Sequence, residues 1–148
     1  MKLAQFFFTH PAKDVAIDLL GKIICRQSDD GTITRHRITE TEAYPGDCPY
    51  VFTEPQFYSI GEWIALEDML MISCTGDKSP DNIVIRGIDG NNDSSKAVAA
   101  ALNIVSGELY SHDLLWIEDD GTKINFIAGE RSFLPDGDLV NFKVTEIL

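Results

Sequence analysis

The sequence predicts a single mixed α+β domain spanning residues 1–148, built on a mostly antiparallel sheet with a few helices. Three observations point there. A chain of 148 residues with 44% hydrophobic and 24% charged side chains has the composition of an ordinary globular protein with one core. Short apolar or alternating runs recur, separated by Gly-, Asp-, Ser- and Pro-rich turns. Clear helical spacing is confined to two stretches, and no repeat, low-complexity tract or linker divides the chain.

The elements follow in chain order. Thr9 can cap a first helix with Pro11 early in its first turn; Val15, Ala16, Leu19 and Leu20 then fall at helical spacing, and Gly21 stops it. "KIICRQ" and "TITRHRITETEAY" flank the turn Ser28-Asp29-Asp30-Gly31 and should pair as a hairpin. Strict alternation in the second strand puts Arg35, Arg37, Thr39 and Thr41 on one face, and His36, Ile38, Glu40, Glu42 and Tyr44 on the other. Residues 45–59 read as a loop. "EWIALEDMLMISC" reads as two short strands turning at Glu67-Asp68. After the turn-rich "TGDKSPD", "NIVIRGI" has the continuous apolar character of a buried strand. Ser94 or Ser95 can start the helix "SKAVAAALNI". "HDLLWIEDDG" is a short helix or strand ending in a turn, and "KINFIAG" and "LVNFKVTEIL" close the chain as strands.

Charge and cysteine usage narrow the function classes. Twelve basic residues against 24 acidic ones give a net charge of −12, a poor footprint for gripping phosphates. A local groove among Lys13, Lys22, Arg26, Arg35, Arg37 and Lys96 is compatible with that total. Three cysteines (Cys25, Cys48, Cys74) without metal-ligand spacing, and three scattered histidines, point to reduced thiols in a cytoplasm and away from a structural zinc. No signal peptide is legible, and no apolar run reaches membrane-spanning length. The expectation is a cytoplasmic monomer with no membrane partner, no metal and no cofactor.

Two blocks resemble a known family. "PAKDVAIDLLGKIICR" and "ITETEAYPG" resemble the first helix, the first strand and the catalytic strand of the methylpurine-DNA (alkyladenine, or 3-methyladenine) glycosylases of base-excision repair. "IVIRG" and "SKAVAAALNI" resemble that family's later strand and the helix after it. The resemblance spans roughly residues 7–105 with a gap, and implies a short, divergent member with an alkyladenine-glycosylase-like curved sheet. It implies a monofunctional DNA N-glycosylase, a hydrolase that binds damaged DNA, flips out an alkylated purine and cleaves its N-glycosidic bond. Glu42 then stands at the general-base position, Tyr44 where an aromatic stacks on the extruded base, and Arg86 where a cation holds the attacking water. An ungapped alignment back from Arg86 puts Ser73 at a substrate-positioning site, Trp63 at a second stacking site and Leu66 at the wedge that fills the vacated duplex. Where the family has a histidine beyond the stacking tyrosine, this chain has Phe52 or Thr53, and the wedge hairpin carries Glu67 and Asp68.

The chemistry is consistent with these residue types. A carboxylate can deprotonate water and stabilise the oxocarbenium-like sugar; a nearby cation keeps it ionised; and a cationic alkylated purine gains roughly 0.5–2 kcal/mol on an aromatic face. Without the family, Glu40 and Glu42, roughly 7 Å apart along one strand face, are a solvated edge by default. By the same reasoning Arg86 is a buried ion-pair former, Tyr44 and Trp63 are core-edge aromatics, and Leu66 is core. Two alternatives therefore stand beside the glycosylase: a catalytically reduced binding or interaction protein, and an N-glycosidase acting on a small nucleoside.

Overall fold

The computed structural model describes residues 1–44, 63–66, 69–74, 81–130 and 139–148. The expected loop after Tyr44, with Cys48, Phe52 and Thr53, lies outside these residues, as do Glu67, Asp68 and the turn before Asp81.

A 3-10 turn at Gln5–Phe8 leads into helix α1, Ala12–Leu19, which buries Ala12, Val15, Ala16 and Leu19 on one face. The helix begins at Pro11, without a side-chain cap on that residue. The N-cap position is thus Pro11 and not the expected Thr9, and the Ala12 amide is held from across the fold by Asp81 Oδ2 at 3.0 Å. Gly21 ends the segment at φ 82°, and a Cβ there would lie 2.8 Å from Ile124 Cγ2, so both conformation and space require glycine.

Strands β1 (Ile23–Gln27) and β2 (Ile33–Tyr44) form the expected hairpin, Ile23 opposite Arg37 and Gln27 opposite Ile33. The strands β3 (Trp63–Leu66) and β4 (Met69–Cys74) pair with each other, and β4 pairs with β5 (Asp81–Ile88), in which every residue is buried. Helix α2, Ser95–Ala101, begins at Ser94, whose Oγ accepts from the Ala97 amide at 3.3 Å. The remaining strands are β6 (Leu109–Tyr110), β7 (Leu115–Glu118), β8 (Ile124–Glu130) and β9 (Leu139–Ile147). Residues 115–118 thus resolve the helix-or-strand choice as strand, and β6 had no signal of its own in the sequence.

All these pairings are antiparallel, in the order β6-β3-β4-β5-β2-β1-β7, with β9 joined to β2 and β8 to β9. The length of β2 makes it the organising strand. Its first half pairs with β1, while its second half lies between β5 and β9. The fold class is α+β, as the sequence predicts.

Alternation breaks in the middle of β2. The register with β5 steps from Ile38 opposite Ile88 to Glu40 opposite Gly87, and then to Thr41 opposite Ile85. Thr39 is the extra residue on one strand and Arg86 on the other, two irregularities that cancel along the ladder. Ile38 therefore joins the main core together with Ala43, instead of sharing a face with Glu40 and Glu42. Past the irregularity, Ala43, Trp63, Ala65, Leu70, Ile72, Cys74, Ile83 and Ile85 line the face packed in the main core with α1 and α2. The opposite face carries Tyr44, Ile64, Met71 and Val84 as a second, smaller cluster.

Candidate active site

The second face of the sheet holds the polar residues. Glu42 lies opposite Val84 of β5 and Asn141 of β9, so its strand is hydrogen-bonded on both sides. Glu40 and Glu42 are fully buried, at 0% exposure, and Arg86 is 4% exposed, which excludes the solvated-edge reading of the two glutamates.

Three strands and one loop supply their partners. Tyr44 Oη donates to Glu42 Oε1 at 2.6 Å. Asn141 Nδ2 donates to Glu42 Oε2 and to Glu40 Oε2, both at 2.7 Å, so one amide group uses its two hydrogens to join two carboxylates. Arg86 Nε lies 3.8 Å from Glu40 Oε2 and 3.8 Å from Glu42 Oε1. The other end of the guanidinium donates to Ser95 Oγ at 3.1 Å and to Asp93 Oδ1. Asp93, held at φ 56°, returns its backbone N–H to Glu40 Oε1. Burying each carboxylate costs several kcal/mol, and this set of charge-assisted bonds offsets that cost.

Gly87 makes the arrangement possible. A Cβ on it would meet Asn92 Oδ1 at 2.3 Å, Asn92 Cα at 2.9 Å and Glu40 Cβ at 3.0 Å. The glycine after Arg86 in "IVIRG" therefore lets the 91–93 loop fold down on β2 and bring Asp93 to Arg86 and Glu40.

The structure brings together Glu42, Arg86 and Tyr44, with Ser73 nearby on the same face. Ser73 Oγ bonds Asn82 Oδ1 at 3.2 Å, and Asn82 is the register partner of both Ser73 and Tyr44. Trp63 is not brought to them. It is fully buried on the opposite face, edge-on to Phe8 at 6.3 Å between ring centroids, inside the main core. The side chain of Leu66 lies outside the described residues.

Asn141 and Asp93 were missed in the sequence reading. The one legible signal for Asn141 is a lone amide in the apolar run "LVNFKV", where Val140 and Phe142 face the main core and the residue between them must face the other way. Asp93 sits in the turn "GNNDSS" and has no distinguishing pattern. The expected basic groove is also altered. Arg26 is buried, donates to the Leu102 carbonyl and lies 4.9 Å from the Tyr110 ring centroid; Arg35 pairs with Glu118, and Arg37 with Asp120.

Among the described residues, no three or more His, Cys, Asp and Glu side chains form a metal-binding group, and no helix is long and apolar enough to cross a membrane. What the site can offer is a buried carboxylate held at both oxygens, with a guanidinium beside it.

A "Putative 3-methyladenine DNA glycosylase" of Streptomyces avermitilis is 50% identical over 44 residues, 30% of this chain and 20% of that protein. Proteins of the same name from Chlorobaculum parvum and Anaeromyxobacter are 46% and 48% identical over 46 residues, 31% of this chain and 22% and 23% of their lengths. The matched segment thus spans about a fifth of these relatives. The family model for Methylpurine-DNA glycosylase (MPG) matches residues 6–99, more than half of the chain and the part that supplies Glu40, Glu42, Tyr44, Ser73, Arg86 and Asp93. By that match the chain belongs to the methylpurine-DNA glycosylase family.

Proposed function

We propose that the protein is a DNA glycosylase that hydrolyses the N-glycosidic bond of an extruded alkylated purine, with Glu42 as the base that activates water. The observation that carries this reading is the buried Glu42 carboxylate, held by Tyr44 and Asn141 and lying 3.8 Å from Arg86 Nε. A carboxylate fixed in this way loses little orientational entropy when it takes a proton from water. Arg86, 3.8 Å from that carboxylate, orients the attacking water in this reading. The departing base leaves an oxocarbenium-like sugar, which the same carboxylate stabilises electrostatically. Tyr44 supplies an aromatic wall on the same strand face, and Ser73 with Asn82 a polar group near it. In this reading the sheet has the alkyladenine-glycosylase architecture, and neither metal nor covalent nucleophile takes part. Trp63 and Leu66 have no assigned role in it.

A second reading, an N-glycosidase acting on a small cationic nucleoside, is favoured by one specific observation. Arg26 is buried, and Arg35 and Arg37 are paired with Glu118 and Asp120, which lowers the positive charge they offer to phosphates. The test is release of free base from methylated duplex DNA, methylated single strands and a free methylated purine nucleoside, by wild type and by Glu42→Gln. The expected result is release from duplex by wild type, reduced about 10²–10⁴-fold in the variant. Release from the nucleoside alone moves the assignment to the second reading. No release from any of the three substrates overturns both.

A further inference from the structure

We infer that Asn141 is a positioning residue of the catalytic site, the donor that fixes Glu42 as a general base by binding it to Glu40. This rests on the glycosylase reading and adds to it a residue from β9, outside the segment that matches the family.

The geometry is specific. Asn141 is 4% exposed and sits directly opposite Glu42 in the β2–β9 ladder, so the backbone register aims its side chain at the carboxylate. Its Nδ2 lies 2.7 Å from one oxygen of each glutamate, and an amide nitrogen has two hydrogens to give. Both are committed. Glu42 is thereby held at each oxygen by a different donor, Tyr44 on Oε1 and Asn141 on Oε2.

Two carboxylates brought this close repel each other and tend to share a proton, which would disable either as a base. Among the described residues, the pair is faced by Tyr44 from β2, Arg86 from β5 and Asp93 from the following loop. On β9, Lys143 stands opposite Glu40 in the register. Arg86 supplies attraction to both glutamates but is itself shared with Asp93. Asn141 bonds both carboxylates, and its two N–H groups are accepted more strongly by a charged oxygen than by a protonated one. It therefore holds the Glu42 carboxylate in one orientation beside Glu40, ready to accept from water.

The test is Asn141→Asp, which keeps the shape and replaces two donors by acceptors. Two quantities are measured: the pH dependence of single-turnover base release, and the titration of 13C-labelled glutamate carboxylates by NMR, with Glu40→Gln and Glu42→Gln used to assign the signals. Release at neutral pH should fall about tenfold or more with KM changed less than about threefold, since the lost interaction serves the transition state. The acid limb, and the NMR midpoint of the pair, should move up by about one pH unit or more. Adding Glu40→Gln restores the formal charge and gives the new carboxylate an amide to accept from, so the limb should move back towards wild type; this double variant also carries the test if the single one does not fold. A limb and midpoint that coincide with wild type, or a loss confined to KM, overturn the inference. Wild type that releases no base from any substrate, while the midpoint still moves in Asn141→Asp, refutes the glycosylase reading and the catalytic role of Asn141 with it. The carboxylate coupling would then remain as a structural property.

Discussion

Replacing Gly87 by alanine adds one methyl group at the most crowded backbone position of the site. Its Cβ would lie 2.3 Å from Asn92 Oδ1, 2.9 Å from Asn92 Cα and 3.0 Å from Glu40 Cβ. The first contact can be relieved by turning a side chain. The second is to backbone, and the third is to the root of a fully buried glutamate, so the 91–93 loop or β2 has to move. Overpacking of this kind costs about 1–3 kcal/mol. For a chain of this size each kcal/mol lowers the melting temperature by about 2–4 °C, so a fall of roughly 2–12 °C is expected. The displacement would not be confined to stability, because Asp93 reaches Arg86 and Glu40 through that loop. Base release should therefore fall more than the loss of folded protein explains. Thermal unfolding and denaturant titration measure the first effect, and single-turnover release well below the melting temperature measures the second. An alanine variant that melts with wild type would refute the claim that this glycine is required by close approach.

Two further predictions concern residues away from the carboxylates. Trp63→Ala should cost about 3–5 kcal/mol by opening a core cavity, while Trp63→Phe should cost much less, because the indole Nε1 has no hydrogen-bond partner among the described residues; equilibrium unfolding midpoints check both, and equal midpoints for wild type and Trp63→Ala would contradict the core placement. Burial pushes the Cys25 thiol up to about 11, with Glu118 adding to the effect, and pushes Cys74 up to about 12. Both should resist thiol reagents at pH 8 until the protein unfolds. Because the folded thiols keep their protons to higher pH than unfolded ones, which titrate at about 8.5, stability from this source is intact below that value, is lost progressively as pH rises from there to about 11 and about 12, and levels off above. Replacing both with alanine should remove that alkaline slope.

Much of the fold was legible because it is written in local chemistry. The turn Ser28–Gly31 fixes the β1–β2 hairpin, and Ser94 marks the start of α2 through its own hydroxyl. Glu42 and Tyr44 could be placed on one face because the pleat dictates it over two residues. Ile38 could not, because the register shift beside it depends on how β2 meets β5, a pairing between residues some 40 to 50 positions apart.

The sequence by itself thus determined the α+β class, the hairpins, a helix starting at Ser94 or Ser95 and the short run that carries Glu42 and Tyr44. Only the tertiary structure decided that the two glutamates are buried, that Trp63 belongs to the other face, and that Asn141 and Asp93 complete the cluster. The reason is physical. Local propensity and periodicity act within a few residues, whereas the stability of a buried charge depends on donors that arrive from strands and loops remote in sequence. Asn141 lies 99 positions from Glu42 and is brought opposite it by the register of β9 on β2.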